Sequence, residues 1–522
     1  MIITRTAAFI QGTRPRCGAC SLLAVAIALL IVNSGVRAED AGISREEMAE
    51  MKRSQQEMMK QMKAQQERID LLEQQVRAQK STGAAISSGS TELSCNVANQ
   101  SGRTTSSTAA AIDTKAFTID ESATRMRWND FTVSGKSKIK LYGFLRLDAI
   151  YDDSTPSNTQ TAGFIRSEDS GAPGTAGARK NNDDLTIHPR LTRLGADFLG
   201  PKIPQLGCAD LTGKLEIDFY NNGLLGQAES REAVRMRHGY LKLAWPDRDV
   251  TLLAGQTSDL ISPLWPIVNP DLVMWGAGNL GDRRPQLRAE WFHGMGAGKF
   301  GLQGMIGMTG ADDNQDLDPA GTTGAGFRDG ETSGKPTLQA RGSYKRPVWE
   351  KQNLEIGLWA HRAWEEPDTL PDVAGAPYTG KTEFDSYALG LDLTVPLYRD
   401  WLWLKGEAWY GANLDDVRGG IFQGINTTLG EEIGSRGGFV EVGAKIPGMK
   451  WYSLHFGYAI DDPQNNDLNT NGRELNSTFY MAHRFNFDPI EFGLDYLNWR
   501  TQYIGLDKGH DNRFQAYISY KF

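Results

Sequence analysis

The sequence predicts an all-β transmembrane protein, an antiparallel β-barrel of about 16 strands, preceded by an N-terminal α-helical coiled coil. Glycine supplies 57 of the 522 residues, above the usual share of about 7 %. The longest apolar run, Leu22–Val32, is much shorter than the roughly 20 residues of a membrane-spanning helix. Apolar and polar residues alternate from Lys138 to the C-terminus. Together, these observations exclude a helical membrane protein and favour strands that span the membrane.

Residues 1–38 have the pattern of a secretory signal peptide. Arginines precede the apolar run, and the small residue Ala38 ends a cleavage pattern. Cleavage after Ala38 removes four arginines and no acid from 56 basic and 64 acidic residues, so the mature chain carries a net charge of −12. Binding to nucleic acid would require a basic surface, and the acidic net charge provides none, so no nucleic-acid partner is expected.

Residues 39–80 predict a coiled coil, because apolar positions recur at alternating spacings of three and four. The seam favours self-association, preferably as a homotrimer, and includes Met51, Met58, Met62, Ile69, Leu72 and Val76. Residues 81–137 form a linker, rich in Ser, Thr and Gly, and the lead-in to the barrel. A disulfide between Cys95 and Cys208 remains an open alternative in an oxidising compartment.

Residues 138–522 predict the barrel. Within Leu211–Tyr220, one face is apolar and the other carries Lys214, Glu216 and Asp218, which suits lipid on one side and water on the other. The last strand places Phe514, Ile518 and Phe522 on one face. Such segments lie at 138–151, 186–199, 211–221, 234–245, 250–256, 285–292, 298–309, 337–345, 353–364, 383–396, 401–411, 437–446, 451–460, 475–486, 490–503 and 512–522.

The connections alternate between long and short, which is the topology of a porin. Long acidic or Gly-rich stretches at 152–184, 310–334 and 365–380 suit outward-facing loops. Short Pro-containing stretches such as 201–208 and 246–247 suit periplasmic turns.

Basic residues recur along the strands, and alternation directs several of them into the lumen. The predicted pore-lining and substrate-selecting set is Lys140, Arg146, Arg190, Arg193, Lys214, Arg235, Arg237, Arg288 and Arg341. Lumen arginines have two alternative roles here, because they either select a solute or brace the wall against acids such as Glu216 and Asp218.

The stretch 257–275 is too long and too apolar for an exposed loop, and its three prolines prevent strand pairing. We expect it to fold into the barrel mouth as a constriction loop; burial at a subunit interface is the alternative. Its predicted functional residues are Asp259, Leu264, Trp265, Asp271 and Trp275.

No motif in the sequence indicates an enzyme, a metal site or a cofactor. The seven histidines are scattered, and neither a Gly-x-Ser-x-Gly elbow nor a complete phosphate loop or calcium loop is present. A barrel enzyme such as a lipid hydrolase remains an alternative. It would require the fold to bring a serine and a histidine within hydrogen-bond distance on the outer rim.

The chain resembles the DcaP-like family of trimeric outer-membrane porins. The resemblance rests on the coiled coil and linker and on several phrases, namely Lys140–Asp152, Arg193–Pro201, Leu211–Phe219, Arg237–Leu243 and Leu253–Gln256. It implies a sixteen-stranded trimeric barrel associated with uptake of negatively charged, often aromatic or dicarboxylic, compounds.

The sequence therefore predicts an outer-membrane porin for passive diffusion of small hydrophilic, anionic solutes, with its coiled coil in the periplasm. Expected partners are outer-membrane lipid and lipopolysaccharide, with peptidoglycan contact through the coiled coil. An alternative is an envelope tether, in which that coiled coil reaches toward the cell wall and the barrel is only an anchor. Acidic mouths that draw cations into the pore are the alternative to anion preference.

Overall fold

A single antiparallel sheet closes on itself in this computed structural model. The structure describes residues 130–134, 137–158, 162–168, 183–220, 234–268, 274–310, 333–349, 352–366, 381–426 and 428–522. These residues all belong to the second of the chain's two units, Leu93–Phe522. The predicted signal peptide, coiled coil with its six seam residues, and Cys95 lie outside the described residues.

The first ten strands are β1 Asp130–Ser134, β2 Ser137–Asp152, β3 Asp184–His188, β4 Arg193–Ile203, β5 Ala209–Asp218, β6 Arg235–Trp245, β7 Val250–Ser258, β8 Arg283–Met295, β9 Gly298–Gly307 and β10 Thr337–Trp349. The remaining ten are β11 Gln352–Glu365, β12 Phe384–Tyr398, β13 Leu402–Ala412, β14 Ile425–Asn426, β15 Glu431–Glu432, β16 Gly434–Lys445, β17 Tyr452–Pro463, β18 Arg473–Phe487, β19 Ile490–Tyr503 and β20 Leu506–Lys521. Short 3-10 turns lie at Pro204–Leu206, Pro246–Arg248, Asp415–Val417 and Asn465–Asp467.

Sixteen strand positions form the closed barrel, as the sequence predicts. Strands β3 and β4 both pair with β2 and together fill one position in the barrel. Strand β1 forms a short hairpin with the N-terminal end of β2. Strands β14 and β15 form a separate hairpin. The last strand, β20, closes the barrel on β2, and Gly143 and Phe522 exchange backbone hydrogen bonds of 3.2 and 3.1 Å.

Pro189 lies in the gap between β3 and β4. Proline has no N–H to donate to a ladder, so the strand breaks there. The backbone N–H of Arg146 on β2 instead donates to the Thr192 hydroxyl at 3.1 Å. The Thr192 side chain thus takes the place of a backbone carbonyl as the acceptor for Arg146. The segment 186–199, which the sequence predicts as one strand, is therefore two strands, β3 and β4.

The two faces of each strand differ in the way that the alternation predicts. On β2, Leu145 and Leu147 are about half exposed, whereas Arg146 and Asp148 are buried. On β20, Phe514, Ile518 and Tyr520 are exposed, and Arg513 is fully buried. The outer face is therefore apolar and the inner face is charged. Among the described residues, no helix is long and apolar enough to cross a membrane.

Several inward aromatic rings lie flat over a glycine of the next strand. Gly457 pairs with Tyr480, and a Cβ on Gly457 would lie 1.9 Å from the tyrosine ring. Gly390 pairs with Trp359 in the same way, with a gap of 2.1 Å. Part of the glycine enrichment in the sequence therefore has a steric cause, because only glycine leaves room for these rings.

Candidate pore and constriction

Two loops fold into the barrel and pack on part of the inner face of β11–β19. We call residues 259–268 and 274–282 the constriction loop, and residues 413–426 and 428–433 the second loop. Apolar side chains of both loops pack on this wall with the segment that follows β2. One cluster contains Ile165, Val268, Met274, Phe439, Tyr480 and Trp499, and the other contains Ile261, Leu280, Trp359, Trp409, Leu414 and Val417.

Wall carboxylates bind the backbone of the constriction loop. Glu407 on β13 accepts hydrogen bonds from the Leu264 N–H and the Ser262 hydroxyl. Glu441 on β16 accepts a 2.7 Å hydrogen bond from the Ile267 N–H. Because prolines keep this loop from pairing as a strand, its N–H groups need other acceptors, and the wall acids supply them.

Wall cations bind the carbonyl groups of the same loop. Lys405 on β13 donates to the Trp265 carbonyl at 2.6 Å, and Arg484 on β18 donates to the Ile267 carbonyl. Two acids, Glu407 and Glu441, and two cations, Lys405 and Arg484, of this wall therefore hold the loop.

The returning half of the constriction loop contacts the second loop. The N–H groups of Gly276 and Gly281 donate to the carbonyls of Arg418 and Val417, both at 2.8 Å. Gly278 has φ of +109° and lies so close to the wall that a Cβ would be 2.2 Å from the Gly438 carbonyl. Glycine is required at this position for both reasons.

The predicted loop residues occupy different environments. Asp259 is buried and pairs with Arg284 at 2.8 Å. Leu264 packs against the first apolar cluster, and Trp265 is partly buried. Trp275 is buried, and Asp271 lies outside the described residues.

Most of the predicted basic residues point inward and are paired with acids. Arg146 pairs with Asp148 at 2.7 Å, and Arg341 pairs with Asp392 at 2.6 Å. The remaining close pairs are Arg193 and Arg237 with Glu216, Arg235 and Arg237 with Asp218, Lys214 with Asp197, and Arg288 with Glu290. Arg190 lies in the turn before β4, and Lys140 is exposed near the start of β2. The geometry favours the bracing role for these ion-paired residues.

One region of the wall carries more cations than acids. Within the described part of the chain, Arg193, Arg235 and Arg237 share the carboxylates of Glu216 and Asp218. Arg283, at the start of β8, lies within electrostatic reach of these three arginines. We call the set of Arg193, Arg235, Arg237 and Arg283 the arginine cluster. Among the described residues, its four charges face Glu216 and Asp218, and Asp282, which pairs with Arg418, also acts on Arg283.

Arg283 lies between the arginine cluster and the constriction loop. Its guanidinium is 5.3 Å from the centre of the Trp265 ring, and its Nε is buried without a hydrogen-bond partner among the described residues. A small cavity here is lined by Ser262, Trp265, Trp275, Asp282 and Arg283 among others. On its other side, the Arg418 guanidinium lies 3.7 Å from the centre of the Trp275 ring.

The predicted set of site residues does not include Arg283, Arg418, Glu407 or Glu441. Arg283 stands next to Arg284 in the sequence, but only the fold shows that Arg284 is bound to Asp259 and that Arg283 faces the loop. The inward acids Glu407 and Glu441 alternate on their strands like any lumen residue. No sequence signal links them to a loop more than 130 positions away.

No family model and no curated protein matches this chain. Among solved structures, the DcaP outer-membrane channel of Acinetobacter baumannii is similar, with a TM-score of 0.55, 18 % identity and coverage of 75 % of this chain and 99 % of that one. Salmonella typhi OmpF in complex with daunomycin (TM-score 0.45, 11 % identity, 75 % and 100 % covered) and an anion-selective porin from Comamonas acidovorans (0.43, 12 %, 74 % and 100 %) lie further away. The likeness to DcaP agrees with the predicted resemblance, and this chain has the sixteen-stranded barrel fold of that channel.

Proposed function

We propose that this protein is an outer-membrane porin through which small hydrophilic solutes, preferably anions, diffuse passively. The observation that carries the proposal is the closed barrel with an apolar outer face and a charged inner face, narrowed by a loop inside it. An apolar outer band suits lipid, and a charged inner wall suits water. Burying the charged groups of such a wall costs free energy unless water or ion pairs satisfy them.

The anion preference rests on the arginine cluster. The loops pack on part of the wall formed by β11–β19, so the opposite wall, which carries the cluster, borders the passage. Among the described residues, four guanidinium groups against Glu216, Asp218 and the Arg418-paired Asp282 leave a positive excess beside the constriction loop. A narrow, low-dielectric passage concentrates the field of such an excess and raises the local concentration of anions. The partly exposed indole of Trp265 adds apolar surface for the carbon skeleton of a carboxylate.

The protein's environment and assembly belong to the same proposal. The predicted signal peptide supports export, and the barrel would sit among outer-membrane lipid and lipopolysaccharide. The coiled coil supports a homotrimer, with that segment in the periplasm and within reach of peptidoglycan. The long loops would face outward, and the short turns, including the one at Cys208, would face the periplasm.

Single-channel recording tests the proposal. Purified full-length protein in a planar bilayer should give stepwise currents in KCl, and a KCl gradient should give a reversal potential on the anion side that shrinks as salt rises. A barrel without ion conductance would contradict the channel. A cation-side reversal potential would contradict the selectivity and leave the channel intact.

A further inference from the structure

A serine, a histidine and a glutamate form a hydrogen-bonded chain on the inner face of β16 and β17. The Ser453 hydroxyl lies 3.0 Å from His455 Nε2, and His455 Nδ1 lies 3.1 Å from Glu441 Oε1. Ser453 and His455 are two positions apart on one strand and so share a face. Glu441 comes from the neighbouring strand, opposite Gly457. Because the three residues come from two strands, no sequence motif predicts that they lie together.

Glu441 is held rigidly at the buried end of this chain. Its Oε2 accepts hydrogen bonds from the Tyr480 hydroxyl at 3.0 Å and the Ile267 N–H at 2.7 Å, and Lys405 lies 3.2 Å from its Oε1. A carboxylate surrounded by donors acts as an acceptor, so the Nδ1 of His455 carries the ring proton. The Nε2 is then free to accept the Ser453 proton, which is the arrangement that a general base needs.

Exposure increases along the chain toward the lumen. Glu441 is 0 % exposed and His455 is 3 % exposed, whereas Ser453 is only partly buried. The edge of the His455 ring packs against Trp403 with 5.4 Å between ring centres, which fixes the orientation of the imidazole. Ser453, the nucleophile, is therefore the most exposed of the three side chains.

Cations flank Ser453 on both neighbouring strands. Lys445 on β16 and Arg484 on β18 are its direct cross-strand partners. Side chains in such positions start about 4.5–5.5 Å apart. Arg484 is bound to Asp495, but Lys445 is exposed and lies over the Trp403 ring at 5.8 Å. Its ammonium group is within reach of negative charge that develops on a carbonyl oxygen attacked by Ser453.

The geometry points to a second activity, the hydrolysis of small carboxylic esters that enter the lumen, with Ser453 as nucleophile and His455 as general base. Ser453 Oγ bonds to the ester carbon while His455 Nε2 takes the hydroxyl proton. The bond from carbon to the alcohol oxygen then breaks, and the alcohol leaves with that proton. Water repeats the sequence on the acyl-serine and releases the acid, with no change of redox state.

A second Ser–His pair in the same wall provides a matched control. His361 Nε2 lies 3.2 Å from the Ser386 hydroxyl, but its Nδ1 meets the Gln339 amide nitrogen at 3.2 Å instead of a carboxylate. Ser386 is also fully buried. This pair lacks both the orienting acid and the access, so we expect it to be inert.

Covalent labelling tests the proposal on the unaltered protein. Purified full-length protein in detergent is treated with a small alkyl fluorophosphonate, and the adduct is located by peptide mass spectrometry. The proposal expects one adduct, on Ser453. An unlabelled Ser453 after prolonged treatment would overturn it.

Hydrolysis of p-nitrophenyl acetate gives the second readout. Ser453→Ala should reduce the rate to that of detergent buffer, His455→Ala should do the same, and Ser386→Ala should keep the wild-type rate. Equal rates for wild type and Ser453→Ala would overturn the proposal. Ser453→Ala should leave single-channel conductance unchanged, so a failure of the esterase and a failure of the porin are separate results.

Discussion

The backbone N–H of Ile267 donates a 2.7 Å hydrogen bond to Glu441, which joins the constriction loop to the far wall of the barrel. Glu407 binds the same loop three and five residues earlier, at Leu264 and Ser262. The width of the passage therefore depends on two carboxylates that lie outside the loop itself.

Glu407→Ala should loosen the constriction loop and widen the pore. The change leaves the Leu264 N–H without its acceptor, at a cost of about 1–3 kcal/mol, whereas the Ser262 hydroxyl keeps Asn279 as an acceptor at 2.7 Å. We expect larger and noisier single-channel currents. Glu491→Ala is the matched control, because Glu491 lies on the inner face of β19 and binds Tyr517 and Lys521 instead of the loop. Equal currents in both variants would contradict the anchoring role.

Arg283→Glu should shift the reversal potential in a KCl gradient toward cations. The substitution changes the sign of the residue closest to Trp265 within the arginine cluster, where the field is concentrated. Lys140→Glu makes the same change of charge at an exposed position near the start of β2 and should shift the potential less. Shifts of equal size would mean that total charge, and not the cluster, sets selectivity.

Arg341→Glu is expected to act mainly on stability. Arg341 is buried and pairs with Asp392 at 2.6 Å and Glu355 at 3.1 Å, so the change places three acids together. Breaking a buried pair costs about 3–5 kcal/mol. The folded barrel should lose its resistance to heating in SDS at a lower temperature than wild type. Unchanged thermal resistance together with a large selectivity shift would return Arg341 to the solute-selecting group.

Gly390→Ala should destabilise the barrel because the new methyl group would collide with the Trp359 ring. Overpacking of this kind costs about 1–3 kcal/mol. Gly342→Ala is the control, since a Cβ there meets nothing within 4 Å. Thermal unfolding followed by circular dichroism should separate the two variants, and equal midpoints would show that the tryptophan moves aside without cost.

The contact between the constriction loop and the second loop should weaken only in strong acid. Burial opposes ionisation of Asp282, but the Arg418 guanidinium 3.1 Å away and the Arg283 N–H hold the pKa of Asp282 below its usual range. Because the pKa of Asp282 is lower in the folded state, its ionised carboxylate stabilises the contact at every pH above the ordinary carboxyl range. That stabilisation is lost as the pH falls through the lowered pKa. Conductance should therefore stay constant from neutral pH down through the ordinary carboxyl range and become noisier only at still lower pH.

Asp282→Asn removes the titrating group from this contact. We expect the variant to be noisy at every pH, because the ion pair with Arg418 is absent throughout. A variant that still changes in acid would assign the effect to another carboxyl group.

The alternation of residues such as Leu145 and Arg146, or Phe514 and Arg513, determined the barrel, its sixteen strand positions and the facing of these side chains. Near Pro189 and His238 the period slips, and there the sequence did not determine the facing of Arg190, Arg193, Arg235 and Arg237. This information is local, because a strand has a period of two and each of its faces meets only one solvent. The sequence also predicted that residues 257–275 are not an exposed loop.

Only the tertiary structure decided which of the inward charges are neutralised by a bound partner and which face the constriction loop. Arg288, Arg341 and Arg283 look alike in the sequence, yet the first two are buried against acids or wall amides and the third faces Trp265. Ser453, His455 and Glu441 likewise meet only because the register of β16 and β17 brings them together. An ion pair or a hydrogen-bonded chain depends on distances of about 3 Å between residues far apart in the chain, and no local pattern encodes those distances.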